Sequence, residues 1–276
     1  MMYLKRLWEE KISWLLLFWS GFSLIFRPGW FLFLGGVIIW ILLLYFTTPS
    51  IFWNYIAMFN LNSEKAENFM RKALACQPVT PKPYIDLALI KAKKKKWDEA
   101  VALFEEASTK PGRPLSSRLK NVWAVCYREM GAYQMAVEIC QQLIDEGYDN
   151  DKVYFNLALT FFYDKKLDEA LKAAEKARIN NITETEPVLL MGRIHFARKD
   201  YELAKDNYEW AIAHTSWPVE SYYWLGRIEL EQGNTDQAIS HLETAVKRIS
   251  DDPLLSDVSV EEAKEWLNKA LSTGKQ

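Results

Sequence analysis

The sequence predicts an all-α protein in which a transmembrane helical hairpin is followed by an α-solenoid of paired helices. Two observations predict this fold. The first is a repeat of about 34 residues, which is typical of helical-repeat proteins, and it is marked by Ala66, Ala100, Ala136, Ala170, Ala204 and Ala238. The second is the N-terminal region, where the runs 12–26 and 30–46 contain no charged residue. Long uncharged apolar runs indicate membrane helices.

We assign residues 1–46 to the membrane anchor. A spanning helix needs about 20 apolar residues, so each run is short by itself. The turn formed by Arg27, Pro28 and Gly29 favours a hairpin of both runs. A cleaved signal peptide is disfavoured because no small-residue cleavage site follows the first run. Whether the hairpin spans the bilayer or forms a shallower wedge stays open.

The distribution of basic residues predicts the topology of this anchor. Lys5, Arg6 and Lys11 precede the first run, whereas the hairpin turn carries only Arg27. By the positive-inside rule, both ends of the chain are then cytoplasmic. The expected location is the cell membrane, with two membrane helices and the repeats facing the cytoplasm. The three cysteines lack metal or redox spacing, which agrees with a reducing compartment.

The periodic alanines lie on the second helix of each predicted helix pair. In one unit Ala170, Ala174 and Ala177 form the i, i+4, i+7 stripe of a single helix face. Thirteen residues before the anchor alanine, Leu157 is followed by the small residue Ala158, and the other units repeat this arrangement. Small side chains at both places allow two antiparallel helices to approach closely, which predicts a helix-turn-helix hairpin in each unit.

This pattern resembles the tetratricopeptide repeat family. The resemblance covers residues 81–252, which divide into the five units 81–114, 117–150, 151–184, 185–218 and 219–252. Residues 47–80 keep only the second helix and are assigned to a degenerate first repeat. Residues 253–276 are assigned to a C-terminal capping helix that begins near Ser259, because a terminal repeat would otherwise expose its apolar face.

Composition and motifs limit the function. The first 62 residues hold four basic and two acidic residues out of 34 and 36 in the chain, which leaves a net charge of −4 on the remainder. This mild charge does not favour nucleic-acid binding. The sequence contains no phosphate-binding loop, nucleophile elbow or metal-ligand motif. We therefore expect neither an enzyme nor a bound cofactor or metal.

The resemblance implies a concave groove lined by the first helix of each unit, with an aromatic centre beside two arginines. Such a surface suits a peptide or helix of a partner protein that carries apolar anchors and an acidic group. The alternative is that these aromatic side chains pack between repeats. The candidate groove residues are Phe155, Leu159, Phe162, Tyr163, Leu189, Arg193, Phe196, Tyr223 and Arg227.

A lysine cluster interrupts the acidic repeat region in the first full unit. It is interpreted either as a solvated turn or as a contact with the anionic lipid of the bilayer. The cluster consists of Lys91, Lys93, Lys94, Lys95 and Lys96.

Three hypotheses of function remain. The first is a membrane-anchored scaffold that binds a protein partner in the groove. The second is a membrane-shaping hairpin protein whose repeats associate as a homo-oligomer. The third is a non-catalytic regulatory subunit of a membrane complex.

Overall fold

The computed structural model describes residues 37–42, 45–46, 48–58, 64–251 and 258–273. Within these residues every regular element is an α-helix, as the sequence predicts. The chain divides between Met130 and Gly131 into two compact units. The division into an anchor, a degenerate repeat, five full repeats and a capping segment stays a prediction.

The first unit contains five of the described helices, and each packs against the next along the chain. Helix α2 packs on α1 and α3, and α4 packs on α3 and α5. Their bounds are α1 Pro49–Met58, α2 Glu64–Ala75, α3 Lys82–Lys93, α4 Trp97–Thr109 and α5 Ser117–Glu129.

The second unit contains eight described helices, which also pack in chain order. In addition, α7 contacts α9, α9 contacts α11 and α11 contacts α13, so these four helices form one layer. Their bounds, with those of the helices between them, are α6 Tyr133–Asp145, α7 Asp151–Tyr163, α8 Leu167–Asn180, α9 Glu186–Arg198, α10 Tyr201–His214, α11 Val219–Glu231, α12 Thr235–Asp251 and α13 Val260–Thr273.

The periodic alanines lie on the second helix of each pair and are buried. Ala66 is 1% exposed, and the five other anchor alanines are completely buried. Small side chains allow two helices to pack closely, so the recurrence of buried alanine agrees with paired helices. The prediction of helix-turn-helix hairpins is therefore confirmed for the pairs α3–α4, α7–α8, α9–α10 and α11–α12, which pack within one unit.

The turn between the two helices of a pair has a conformation that repeats with the same period. At α9, Lys199 adopts the left-handed region with φ 65°, and Asp200 N–H donates to the carbonyl of His195 at 2.9 Å. This arrangement is a Schellman-type helix end. Left-handed residues occupy the equivalent turns at Lys95, Gly131, Lys165, Lys199 and Gly233.

Side-chain caps fix the start of two helices in the second unit. Asn150 Oδ1 accepts from Val153 N–H at 3.0 Å at the start of α7. Ser259 Oγ accepts from Glu262 N–H at 3.1 Å at the start of α13. Such caps pair a backbone donor that the helix itself leaves free.

The predicted membrane runs 12–26 and 30–46 lie mostly outside the described residues. Residues 37–42 and 45–46 are helical, and Ile38, Ile39 and Phe46 among them are 57%, 56% and 74% exposed. Among the described residues, no helix combines the length and the apolar character that a membrane crossing requires.

Candidate functional site

The predicted groove residues lie on α7, α9 and α11, three of the four helices that form one layer of the second unit. We call the surface that these residues form the first-helix face. Phe155, Leu159, Phe162 and Tyr163 lie on α7, Leu189, Arg193 and Phe196 on α9, and Tyr223 and Arg227 on α11.

Two arginines stack on phenylalanines of the preceding helix in this layer. The Arg193 guanidinium lies 4.9 Å from the Phe162 ring centroid, and the Arg227 guanidinium lies 5.1 Å from that of Phe196. Both distances are within the range of cation–π attraction. The two pairs are separated by one repeat of 34 residues in sequence, so the same contact is built twice.

Arg227 is enclosed by further aromatic rings. Its guanidinium lies 4.7 Å from Trp224, 5.7 Å from Tyr223 and 4.2 Å from Trp266 of α13. A planar guanidinium can stack its faces on rings while its N–H groups point outward in the plane. The surrounding rings therefore hold this cation in one orientation.

Neither arginine is neutralised within the described residues. No described carboxylate lies within salt-bridge distance of Arg193 or Arg227, and the buried Nε of each has no hydrogen-bond partner there. By contrast, Lys205 in the same unit bonds Glu229 at 2.7 Å. The first-helix face thus carries two cations that form no ion pair among the described residues, although the Glu220 carboxylate acts electrostatically on the same Tyr208 hydroxyl as they do.

Tyr208 of α10 reaches the same place from the second helix of its pair. A Cβ atom on Gly192 would lie 2.7 Å from Tyr208 Cζ, so the phenol ring lies directly against the backbone beside Arg193. The ring also stacks on Trp224 at 6.3 Å with an interplanar angle of 3°. Tyr208 is completely buried, and its hydroxyl has no partner among the described residues.

Sequence reasoning missed Tyr208. It stands four residues after Ala204, at a position that belongs to the apolar stripe of the second helix. The signal that could have identified it is the residue type, since the equivalent positions hold Phe104, Cys140, Ala174 and Leu242. A hydroxyl at a position that is otherwise apolar requires an explanation.

Tyr223 requires a correction. It was predicted to contact a partner, but it is 1% exposed and its hydroxyl donates to Glu262 Oε1 at 2.6 Å. The reason is that α13 packs on α11 and covers this side chain. Burial raises the pKa of Tyr223, so the hydroxyl remains a donor. Tyr223 joins α13 to the repeats and cannot contact a partner.

The other apolar residues of the face differ in their accessibility. Leu189 and Phe196 are partly buried and pack against the cluster around Tyr208 and Leu225, so the alternative of packing between repeats applies to them. Tyr163 is 42% exposed. Phe155, Leu159 and Phe162 are half-buried.

An acidic pocket lies at the other end of this face, near the start of α7. Its volume is about 250 Å³. The Glu184 carboxyl lies beside Glu186, and this proximity raises its pKa because two adjacent carboxylates disfavour double ionisation. The lining residues are Asp151, Lys152, Phe155, Glu184, Glu186 and Pro187.

The lysine cluster of the first unit is largely engaged in ion pairs. Lys91 is 1% exposed, and its ammonium bonds Glu67 of α2 at 2.6 Å and also Glu99 of α4. Lys94 bonds the second oxygen of Glu67 at 2.7 Å. The interpretation of Lys91 as an exposed lipid contact is therefore wrong, because α3 directs it between α2 and α4.

The other members of the lysine cluster are exposed. Lys96 pairs with Glu99 at 3.1 Å, and Lys95 adopts the left-handed conformation that ends α3. The exposed members are Lys93, Lys94, Lys95 and Lys96. Whether they contact lipid stays a prediction.

The comparisons with known proteins agree with this geometry. Residues 189–253 and residues 123–150 match family models described as tetratricopeptide repeat. The first of these matches includes Arg193, Tyr208 and Arg227. No curated protein matches the chain.

Several solved structures share the fold at low sequence identity. MamA from Desulfovibrio magneticus RS-1 is 15% identical with a TM-score of 0.54, over 60% of this chain and 94% of that one. TTC0263, a TPR protein of Thermus thermophilus, is 16% identical with a TM-score of 0.54, over 71% and 100%. The yeast Tom70 structure is 15% identical with a TM-score of 0.58, over 87% of this chain and 50% of that one.

At these identities the structural matches establish the fold alone. The two family matches lie on helices of the predicted period, and one structural neighbour, TTC0263, is described as a TPR protein. The chain therefore contains tetratricopeptide repeats.

Proposed function

We propose that this protein is a membrane-anchored interaction scaffold that binds a segment of a partner protein on the first-helix face of its second unit. Tetratricopeptide repeats imply a protein–protein interaction scaffold. One structural neighbour, the APC/C hetero-tetramer Cut9-Hcn1, is itself a protein assembly, with 15% identity, a TM-score of 0.59 and coverage of 85% of this chain and 45% of that one.

The observation that carries the proposal is the presence of half-exposed apolar side chains beside two arginines that form no ion pair among the described residues. Phe162 and Tyr163 lie at the end of α7, and the Phe162 ring lies next to the Arg193 guanidinium. Interfaces favour aromatic residues and arginine because they bury large areas and lose little rotamer freedom. A face that served only to pack the repeats would not need to leave Tyr163 exposed or these charges unpaired.

The anchor belongs to the same proposal. Its support is the pair of uncharged runs in the sequence and the exposure of Ile38, Ile39 and Phe46 in the described part of the second run. Exposed apolar side chains in such a series are unfavourable in water and favourable in lipid. We expect the full chain to sediment with membranes and a chain that begins at residue 47 to remain in the supernatant.

Site-specific photo-crosslinking tests where the partner binds. A crosslinking amino acid at position 159 should give a defined adduct in native membranes, because Leu159 lies at the centre of the α7 surface. The matched control is position 179, since Ile179 of α8 is apolar and 74% exposed. Equal adducts at both positions, or an adduct at position 179 alone, would move the binding surface to the second helices.

Impermeant thiol labelling tests the proposed topology. With Cys76 replaced by serine and a new cysteine placed near Gln276, intact cells should remain unlabelled until they are lysed. The excess of positive charge before the first apolar run motivates this expectation. Labelling of intact cells would place the repeats on the outer side.

A further inference from the structure

Four rings and one cation form a continuous surface at the start of the first unit, which we call the aromatic rim. The Tyr45 ring centroid lies 5.2 Å from that of Phe52 and 6.2 Å from that of Trp53 on α1. Trp53 in turn stacks on Phe69 of α2 at 5.8 Å, with an interplanar angle of 11°. The rim, completed by Lys72, therefore connects the end of the second apolar run to α2.

The cation of the rim lies over two of the rings. Lys72 Nζ is 4.6 Å from the Trp53 ring centroid and 5.7 Å from that of Phe69, which is within the range of cation–π attraction. Lys72 is exposed and forms no ion pair with the described residues, whereas the neighbouring Arg71 pairs with Glu67 at 3.0 Å. The rim thus presents a positive charge beside its rings at the surface.

The rim begins where the described part of the second apolar run ends. Ile41 and Leu42 of that run are 40% and 49% exposed, and Tyr45 is 43% exposed. Under the proposed anchor this run lies in lipid, so the rim lies where hydrocarbon gives way to headgroups. Tyrosine and tryptophan favour this layer because their rings are apolar at one end and polar at the other. A lysine beside them keeps its apolar stem on the rings and its ammonium in the polar layer.

Packing between α1 and α2 explains only part of the rim. Phe69 is partly buried against the cluster of Ala57, Met70 and Leu87. This packing gives no reason for an exposed lysine over two rings or for the exposure of Tyr45. Both features suit a surface that headgroups cover.

We propose that the aromatic rim lies in the headgroup layer of the membrane and binds anionic phospholipid, with the Lys72 ammonium at the phosphate. The inference rests on the membrane anchor of the proposed function, and it adds a contact between the folded first unit and the bilayer. Charge complementarity favours an anionic headgroup, because a basic residue at such a surface strengthens binding. The rim then holds the first unit against the membrane.

Native Cys76 provides the reporter for a test. Its thiol donates to the carbonyl of Lys72 at 3.3 Å, one turn further along α2. It is half-buried, whereas Cys126 and Cys140 are buried and should not react in the folded protein. The full chain, with a fluorescent dye on Cys76, is placed in nanodiscs of equal parts phosphatidylcholine and phosphatidylglycerol. We expect strong quenching by a phospholipid with a nitroxide on its headgroup and weak quenching by aqueous acrylamide.

The matched control for the dye is position 179, because Ile179 of α8 is apolar and 74% exposed. In a chain with Cys76→Ser and Ile179→Cys, acrylamide should quench the dye strongly and the nitroxide lipid should not. Equal quenching at both positions would overturn the inference. So would a dye on Cys76 that is shielded from acrylamide without quenching by the lipid, since protein would then cover the rim.

Charge variants at position 72 test the role of the cation. Lys72→Glu should lower the ratio of membrane-bound to unbound rims at least about fivefold, whereas Lys72→Arg keeps the charge and the ring contact and should behave like the native chain. Lys176→Glu is the matched control, because Lys176 is also exposed and lies 5.6 Å from the Tyr154 ring centroid. It should leave the dye signal at Cys76 unchanged. An unchanged signal in Lys72→Glu would overturn the role of Lys72.

The lipid composition tests the preference for anionic headgroups. In nanodiscs of phosphatidylcholine alone, the native chain and Lys72→Glu should differ much less, and added salt should weaken binding of the rim in the mixed nanodiscs. Circular dichroism should be the same for both chains, since an exposed charge contributes little to stability. An equal effect of Lys72→Glu in both lipids would overturn the preference for anionic phospholipid.

The outcomes also separate this inference from the proposed function. A full chain that sediments with membranes, but whose dye at Cys76 is as accessible to acrylamide as a dye at position 179, would overturn the rim and leave the anchor. A full chain that stays in the supernatant would count against the anchor itself.

Discussion

At the scale of single residues, the position of a charge decides its role more than its type does. Lys91 belongs to a run of lysines that resembles a solvated surface in sequence, yet it is buried because α2 and α4 each supply a carboxylate. Burial disfavours its ammonium, but the hydrogen bonds to Glu67 and Glu99 outweigh this effect and raise the pKa of Lys91. It therefore remains charged inside the first unit.

Replacing Lys91 with methionine should destabilise the protein by about 2 kcal/mol, because two carboxylates lose a charged hydrogen bond. This loss of stability is smaller than that for breaking a fully buried ion pair. The reason is that Glu67 still pairs with Lys94 and Glu99 still pairs with Lys96. Urea denaturation measures the change. Lys94→Met is the control, because Lys94 is 40% exposed and should cost less than about 1 kcal/mol. Equal losses for both variants would contradict the burial argument.

The same ion pairs predict a dependence of stability on pH. The hydrogen bond from Lys91, followed by those from Lys94 and Arg71, lowers the pKa of Glu67 from 4.5 to about 2. A lowered pKa in the folded state stabilises the protein above the unfolded value, and this stabilisation disappears as the carboxylate becomes protonated. The difference in unfolding free energy between the native chain and Glu67→Gln should therefore shrink as the pH falls from 4.5 to about 2.

Urea denaturation of both proteins across this pH range measures the effect. When Lys91 is replaced by methionine, the Glu67→Gln substitution should change the unfolding free energy with a weaker dependence on pH. The reason is that Lys91 is the main cause of the lowered pKa of Glu67. If the stability difference between the native chain and Glu67→Gln increased as the pH falls, it would contradict the pairing of Glu67 with these cations.

At the scale of elements, the sequence specified the helices much better than it specified the contacts between distant residues. The alanine period predicted the pairs α3–α4, α7–α8, α9–α10 and α11–α12, because close packing of two helices is a local requirement on side-chain size. It did not predict α1, which packs on α2. The partners of Lys91 and Tyr223 were not predictable, because Glu67 is 24 residues away and Glu262 is 39 residues away. Neither distance is a multiple of the repeat.

The left-handed turn also escaped sequence reasoning, since glycine marks only some of its occurrences. At the end of α9 the position is held by Lys199 with φ 65°. A side chain in this region costs about 1–2 kcal/mol, whereas glycine adopts it readily at some cost in unfolded-state entropy. Lys199→Gly should therefore stabilise the protein by about 0.5–1 kcal/mol, which thermal and urea denaturation would detect.

A matched substitution inside the same helix controls for this effect. Ala197 is exposed and helical, so Ala197→Gly should destabilise by about 1 kcal/mol. If both glycine variants lost stability equally, the left-handed conformation of Lys199 would not be under strain.

At the scale of the whole molecule, the last repeat needs a helix that covers its apolar face. The stacking face of α11 and α12 is covered by α13, whose Ala263 and Ala270 are completely buried. Trp266 and Leu267 pack against the same cluster. The sequence predicted this helix because a terminal repeat would otherwise expose its apolar face. It did not predict that α13 would also hold Tyr223 and Arg227, which makes the end of the repeat array part of the candidate site.

Removing residues 252–276 should therefore lower the melting temperature by about 5–10 °C, since exposure of a tryptophan and several aliphatic contacts costs a few kcal/mol. A chain that ends at Thr273 is the matched control and should melt like the full protein. Because repeat proteins are coupled mainly through neighbouring repeats, hydrogen exchange should show the loss first in α11 and α12, while α7 and α8 retain protection. A uniform loss from α7 to α12 would mean that these helices unfold as one cooperative block, and Trp266→Ala would then produce the same uniform pattern at smaller amplitude.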